Sequence, residues 1–419
     1  MLNKNGEREL AYVVLVDGIE ELPGYDRVES AVIGGWHCIV PKGQFKVGDP
    51  GIYFEIDSKV PSNNPAFAFL EKRKYKVKTL KMCKIISQGL LMHAEDFGWE
   101  IQSDEFPYIV DETGFCHFVN DESRFLTQKL GVTYADAEDN QRKAKNIDPN
   151  AKYLSMKARH KKFFSNKFIK KMWEHSWFRE LCFLFIGKKK DKPRGFPTKF
   201  PYVKKTDQER CENMVFVLKD KTPFIRTQKC DGSSGTFILE RTKKRIKPYE
   251  FYVCSRNVRM LKPDQECFYG GHNYYWEVAI KYDIENKLKD YLEKHPELNY
   301  VCWQGEICSP KIQNNAHKLS KTHLYLFHMI DSVRGFYDIR DAKKIWEEYN
   351  MEYVPIDEEL YILPDDFEEF KESADGFYNS NVCEGNENVE REGYVYYKST
   401  DPNFSFKNVS RKYLLKHNS

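Results

Sequence analysis

The chain has 419 residues, 41% of them hydrophobic and 31% charged, with 66 Lys and Arg against 63 Asp and Glu. That length gives two or three domains with sizeable cores. Eleven cysteines without a Cys-x-x-Cys pair or a histidine cluster beside them argue against a disulfide framework and a zinc site, so reduced thiols and a cytoplasmic location are expected. Residues Met1 to Glu7 lack the apolar centre of a signal peptide, and no run approaches bilayer length, so a soluble protein without a membrane partner is expected.

In chain order, residues 8 to 120 read as all-β. Apolar runs at Ala11 to Val16, Val28 to Ile33, Trp36 to Val40, Ile52 to Ile56 and Tyr75 to Met92 are separated by Gly- and Pro-bearing turns. Five such strands fit a small closed barrel of the OB kind. Lys72, Lys74, Lys76 and Lys78 alternate with other residues, so a strand there carries one basic face. Such a face suits a phosphate backbone, and equally the lysines that keep an edge strand soluble.

Between Lys152 and Lys205 stand 17 Lys and Arg against three acids, interleaved with aromatics as in Lys170-Lys171-Met172-Trp173. This basic connector suits either a nucleic-acid strand or the solvated face of a helix. From Phe196 onward strands alternate with helices. Thr206 or Asp207 is placed to cap a helix holding Glu209 and Arg210. Trp276, Ile280, Ile284, Leu288 and Leu292 recur every fourth residue, which predicts one amphipathic helix against a core. Tyr300 to Ile307 reads as a strand with an acid near its end. Leu324 to Ile330 reads as a buried strand, with His328 a satisfied core histidine. Residues 357 to 390 are acid-rich and read as a solvated helix and loop. Two strands close the chain, Arg391 to Lys398 and Phe404 to Val409.

The stretch Thr227-Gln228-Lys229-Cys230-Asp231-Gly232-Ser233-Ser234-Gly235-Thr236-Phe237 reads as strand, tight loop and strand. Small residues let a ligand approach the backbone closely, and a lysine kept unprotonated there can attack a phosphoryl group. Taken alone, Lys-x-Asp-Gly fits a plain hairpin turn as well.

The ordered set Lys229-Cys230-Asp231-Gly232, Ser255-Arg256-Asn257, Gly305-Glu306, Phe327, Glu392-Gly393 and Lys407 resembles the covalent nucleotidyltransferases, the polynucleotide ligases and capping enzymes. The run Gln304 to Gln313, the run Lys205 to Arg210 and Ile86-Ser87-Gln88-Gly89-Leu90 look like the ATP-dependent RNA ligases of the Naegleria and Deinococcus type, with an OB domain ahead of the catalytic one. The resemblance spans about residues 8 to 110 and 196 to 417. It implies an α+β protein: an OB-like barrel over residues 1–140, the connector over 141–195, and a nucleotidyltransferase domain of antiparallel sheets with flanking helices over 196–419.

The resemblance also implies a site and a reaction. Lys229 would take AMP from ATP as a covalent phosphoramidate, its amine kept neutral by Lys407, a metal ion and apolar surroundings. Asp231, Glu306 and Glu392 would gather a hydrated Mg²⁺ or Mn²⁺. Arg256, with Asn257 and Gly232, would hold the nucleotide, Phe327 would stack on adenine, and Lys407 would face the phosphate. The AMP would pass to a 5′-phosphate and the adjacent 3′-OH would displace it, with a nicked duplex or RNA ends as partner and a monomer as the acting species. The barrel would serve the polynucleotide, not the nucleotide.

Two positions depart from the family pattern: Gln228 stands where a glutamate is common, and the basic residue after Glu392-Gly393 comes six positions on, at Lys398, instead of five. A capping guanylyltransferase or a DNA ligase is the alternative within the superfamily, although those place the OB domain after the last motif and only 12 residues follow Lys407. A non-catalytic nucleic-acid-binding OB protein is the alternative of another class, against which stand the intact Lys229, Glu306, Glu392 and Lys407.

Overall fold

The computed structural model describes residues 1–98, 108–110, 116–118, 122–135, 163, 165–182, 195–197, 208–256, 258–260 and 273–417. They fall into two compact units, Met1–Thr133 with Gly195–Ser419, and Tyr134–Arg194. The second unit contains the helices Lys167–Met172 and Ser176–Cys182. Most of the basic run Lys152–Lys205 lies outside the described residues, as do Thr206 and Asp207. Among the described residues no helix is long and apolar enough to cross a membrane.

The first unit begins with β1 (Ala11–Leu15), β2 (Gly18–Glu21), β3 (Val28–Ile33), β4 (Trp36–Pro41), β5 (Pro50–Phe54) and β6 (Leu90–Met92). Strands β1, β5 and β6 form one antiparallel sheet with β5 central, and β2, β3 and β4 form a meander. The period of two is plain in β4, where Trp36, Cys38 and Val40 are buried and His37 and Ile39 are half-buried. These residues pack with Tyr12, Val14 and Tyr53 into one core. Truncating Trp36 there would cost roughly 3–5 kcal/mol.

The basic strand expected through Lys72–Lys78 does not form. Pro65–Arg73 is a 3₁₀ helix whose first turn is capped by Asn64, its side chain accepting from the Ala66 N–H at 3.0 Å. Phe67 and Leu70 are its buried residues, and three-residue spacing is one face of a 3₁₀ turn. Lys74 and Tyr75 then take left-handed φ values of 54° and 60°. The four lysines therefore share no strand face. The apolar pair and the proline outweighed the alternation.

The second part follows in the strands β7 (Glu209–Arg210), β8 (Phe224–Lys229), β9 (Ser233–Arg241), β10 (Tyr249–Ser255), β11 (Tyr300–Cys308), β12 (His323–Asp331), β13 (Gly393–Lys398) and β14 (Asp401–Val409). A four-stranded sheet runs β7-β14-β13-β8, with only β7 and β14 parallel. A seven-stranded sheet has β10-β9-β11-β12 at its centre, with the short strands Gly195–Pro197, Val258–Met260 and Gly335–Phe336 outside them. The chain crosses from one sheet to the other in three residues, Cys230-Asp231-Gly232, so Lys229 ends β8 where the two sheets meet. Glu209 and Arg210 pair as strand with Phe406 and Lys407, not as the expected helix.

Helices α1 (Tyr274–Lys281), α2 (Ile284–Lys294), α3 (Ile339–Glu348), α4 (Phe367–Glu372) and α5 (Arg411–His417) flank the sheets. The single amphipathic helix expected from Trp276 to Leu292 is two. A spacing of four overshoots the turn by about 40° per step, so the apolar stripe drifts off the core face. Ile280 has drifted to 68% exposure, and a left-handed Asp283, φ 51°, breaks the chain and resets the phase. Residues 357 to 390 also differ from expectation. Acids dominate their composition, but Tyr378, Val382, Cys383 and Val389 enter the main core, and the fully buried Lys371 ammonium bonds Glu212 at 2.7 Å and the Val409 carbonyl at 3.0 Å. His328 is buried as expected, with Nδ1 at 3.3 Å from Gln304 Oε1.

Candidate active site

Side chains paired across a sheet leave the same face. Thr227, Val395, Lys407 and Arg210 form such a row across β8, β13, β14 and β7, and Lys229 lies two residues past Thr227 on that face. Opposite it, β11 contributes Glu306. The register between β11 and β12 shifts between Gln304 and Gly305, and a bulge of this kind re-aims the residue that follows. Between these elements is a cavity of about 470 Å³, ample for a nucleotide-sized ligand. Lys229, Gly232, Arg256, Glu306, Phe327 and Lys407 line it. Gly232 is required, because a Cβ there would stand 2.5 Å from the Ile307 carbonyl oxygen. Asn257 lies outside the described residues.

Lys229 donates to Glu392 Oε2 at 2.8 Å. Burial alone would lower the affinity of the lysine for its proton, but the carboxylates of Glu392 and Glu306 outweigh it and hold the amine well above its ordinary pKa. Glu306 is pushed up to about 8 by burial, with Glu392 and Asp231 adding and Lys229 opposing. Glu392 is also raised, by burial and by Asp231. Lys407 shifts the other way: burial and the cations Arg8, Arg210 and Lys229 hold it well below the usual lysine range. Carboxylates dominate the surroundings of Lys229, and Lys407 is the lysine whose charge is disfavoured.

Among the described residues no three His, Cys, Asp or Glu side chains converge as a direct ligand set. Tyr413 of α5 donates to Asp231 Oδ2 at 2.7 Å, and the Asp231 N–H donates to His317 Nε2 at 3.1 Å. The electrostatics nonetheless fit a divalent cation, since three carboxylates act on one ammonium and two of them are pushed toward protonation for want of positive charge. A hydrated ion held through its waters suits this arrangement.

Two features escaped the sequence. The Tyr378 hydroxyl donates to the Lys229 carbonyl at 2.7 Å and accepts from the Glu392 N–H at 3.2 Å, tying the lysine to the acid. Gln228 and Asn379 make a reciprocal pair, Nε2 to Oδ1 and the Asn379 N–H to Oε1, both at 3.0 Å. A glutamate at 228 has no donor for the first bond, which accounts for that departure. The second departure resolves by strand parity. Lys398 bonds Asp220 on the face away from the cavity, and Tyr397, five positions past Glu392, lines it.

Residues 10–94 match a family model described as an OB-fold domain. No curated protein matches the chain. Among solved structures it is similar to the Naegleria gruberi RNA ligase with pyrophosphate, at TM-score 0.68 and 24% identity over 98% of this chain and 99% of that one. A variant of the same ligase with ATP and Mn gives 0.67 and 24%, over 98% of both chains. A variant without ligand gives 0.66 and 25%, again over 98% of both. The chain has the fold of an RNA ligase. The RNA-ligase likeness spans the barrel and the two larger sheets together, so the α+β architecture read from the motifs, an OB barrel ahead of antiparallel sheets with helices, is the one observed. What the fold places in the cavity is a lysine at a sheet junction, a second lysine, a carboxylate, an arginine and an aromatic ring.

Proposed function

We propose that the protein is an ATP-dependent RNA ligase that joins 3′-OH and 5′-phosphate ends through a lysyl-AMP intermediate. The observation that carries this is the placement of Lys229 at the end of β8, facing the cavity with Glu392 at 2.8 Å and Lys407 across the same sheet. The related ligase is recorded with ATP, AMP and Mn, which supports ATP as the nucleotide and a divalent ion as the metal here.

In this reading Lys229 Nζ forms a bond to the α-phosphorus, the bond from that phosphorus to its bridging oxygen breaks, and pyrophosphate leaves with the electron pair. Lys229 must first lose a proton, and Glu392, in contact with it, is placed to accept it. Glu306 and Glu392, with Asp231 behind them, would hold the divalent ion. When bound, it supplies positive charge that draws the carboxylates off Lys229 and weakens the lysine's hold on its proton. Lys407, without an ion pair or hydrogen bond of its side chain among the described residues, would meet the phosphate. Arg256 at the rim would grip phosphate or ribose, and Phe327 would stack on the base. AMP then passes to the 5′-phosphate, and the 3′-OH displaces it. The boundaries 1–140, 141–195 and 196–419 belong to the same reading.

The test is sealing of a nicked RNA duplex bearing 3′-OH and 5′-phosphate ends with ATP and Mg²⁺. A sealed strand, with no sealing when GTP replaces ATP, is expected. Sealing with GTP alone, or only of DNA, would contradict it.

A further inference from the structure

Strand β7 is held from the barrel side by a buried polar network. Arg8 donates to Glu55 Oε2 at 2.9 Å and to the carbonyl of Gln208 at 3.0 Å, and Gln208 lines the cavity. Asn213 Nδ2 donates to Glu55 and Glu209, both at 2.9 Å, and its Oδ1 accepts from Trp36 Nε1 at 2.6 Å. Arg210 donates to Asp57 Oδ2 at 2.8 Å and lies over the Trp36 ring. Among the described residues, Leu2, Arg8 and Asp57 thus hold the β7 segment from the barrel side, with Asn213 joining Glu209 to Glu55. On its other side, Arg210 is in register with Lys407 in the parallel pair, so the two cationic side chains leave the sheet side by side.

We propose that Asp57, acting through Arg210, sets the position of Lys407 in the cavity. Asp57 is then a positioning residue. The inference rests on the reading of Lys407 as the phosphate-facing lysine of an adenylyltransferase.

Two further observations favour it. Asp57 has a left-handed φ of 68°, a conformation that costs a side-chain-bearing residue energy and persists where the surroundings impose it; its N–H is fixed on the Val77 carbonyl at 3.0 Å. Arg210 is buried, and its Nη1 has no hydrogen-bond partner. Its guanidinium is therefore oriented by Asp57 and the Trp36 ring. Without Asp57 the guanidinium would reorient toward Glu212 and Glu55, the other carboxylates whose charge it feels.

The experiment is single-turnover formation of lysyl-AMP against ATP concentration for the full chain, wild type and Asp57→Ala, Asp57→Asn, Arg210→Met and Asp57→Ala/Arg210→Met variants, with thermal unfolding alongside. Misplacing a phosphate-facing group from outside the cavity costs about tenfold to 10²-fold in rate. Asp57→Ala and Arg210→Met should each slow the saturated step in that range and leave the half-saturating ATP concentration within about twofold. The double variant should be no slower than the slower single one, because both act on one path. Asp57→Asn, which keeps the acceptor and tolerates the left-handed backbone, should recover part of the rate, and it keeps the test available should Asp57→Ala unfold. Rate losses that multiply in the double variant, or a lowered unfolding temperature with an unchanged rate, would overturn the proposal. Wild-type labelling with unimpaired Asp57 and Arg210 variants would refute this inference alone. No labelling of the wild type would refute the adenylyltransferase reading, and the inference with it.

Discussion

Lys229 and Glu392 meet at 2.8 Å, and the residue after the acid, Gly393, is the register partner of Lys229 across β8 and β13. The acid thus reaches the amine from the start of the neighbouring strand. Gly393 allows this with φ 152° and with no room for a Cβ, which would stand 2.2 Å from the Asn408 carbonyl oxygen. Glu392→Gln should keep the fold and slow lysyl-AMP formation by about 10²-fold or more. Glu306→Gln should do the same. A near-normal rate in either variant, measured by single-turnover labelling, would make that acid structural.

Tyr378 gives a second prediction. Its hydroxyl bridges the Lys229 carbonyl and the Glu392 N–H. Tyr378→Phe keeps the ring and removes both bonds, at roughly 0.5–1.5 kcal/mol of stability each. The account expects a rate loss of about tenfold or more with ATP half-saturation little changed, since geometry suffers and binding does not. A stability loss unaccompanied by a slower step would restrict the tyrosine to packing.

The parity argument along β13 gives a third. Lys398→Ala removes an ion pair with Asp220 outside the cavity and should leave adenylylation within about twofold. Tyr397→Ala opens the cavity wall and should raise the ATP half-saturation severalfold. The reverse ranking, measured by ATP titration of both variants, would show that strand parity misplaces the site.

A pH-dependent prediction comes from His328. Burial depresses its pKa to about 3, below the usual 6.5 of an exposed histidine. The unfolded chain takes up the proton first as pH falls, so stability present above about 6.5 is lost progressively below it, down to the folded pKa. Between pH 7 and pH 5 this amounts to about 2 kcal/mol at most. Urea unfolding at both pH values should show His328→Gln losing less stability than wild type over that interval. Equal losses would mean that His328 is solvated when folded.

The chemistry of the site was more legible than its support. Lys229, Arg256, Glu306, Phe327 and Lys407 lie on strands or at strand ends whose apolar runs mark them, and the fold brings all five to one cavity. Tyr378 and Asn379 carry no such mark. They lie in an acid-rich stretch whose average composition hides its buried residues, and long-range pairing, not local pattern, gives them their role. The lysines from Lys72 to Lys78 show the opposite error. A period of two appeared there by chance, and the pair Phe67 and Leu70, three apart, decided the local structure. The network of Arg8, Glu55, Asp57 and Arg210 spans some two hundred residues of chain, and nothing local in the sequence announces a buried charge cluster.

The central claim is that Lys229 becomes covalently adenylylated, and peptide mass spectrometry after incubation with ATP and Mg²⁺ tests it most directly. The account predicts an adenylyl group on the peptide containing Lys229, released by pyrophosphate and absent from Lys229→Ala. An adduct on any other residue, or one that persists in Lys229→Ala, would contradict it.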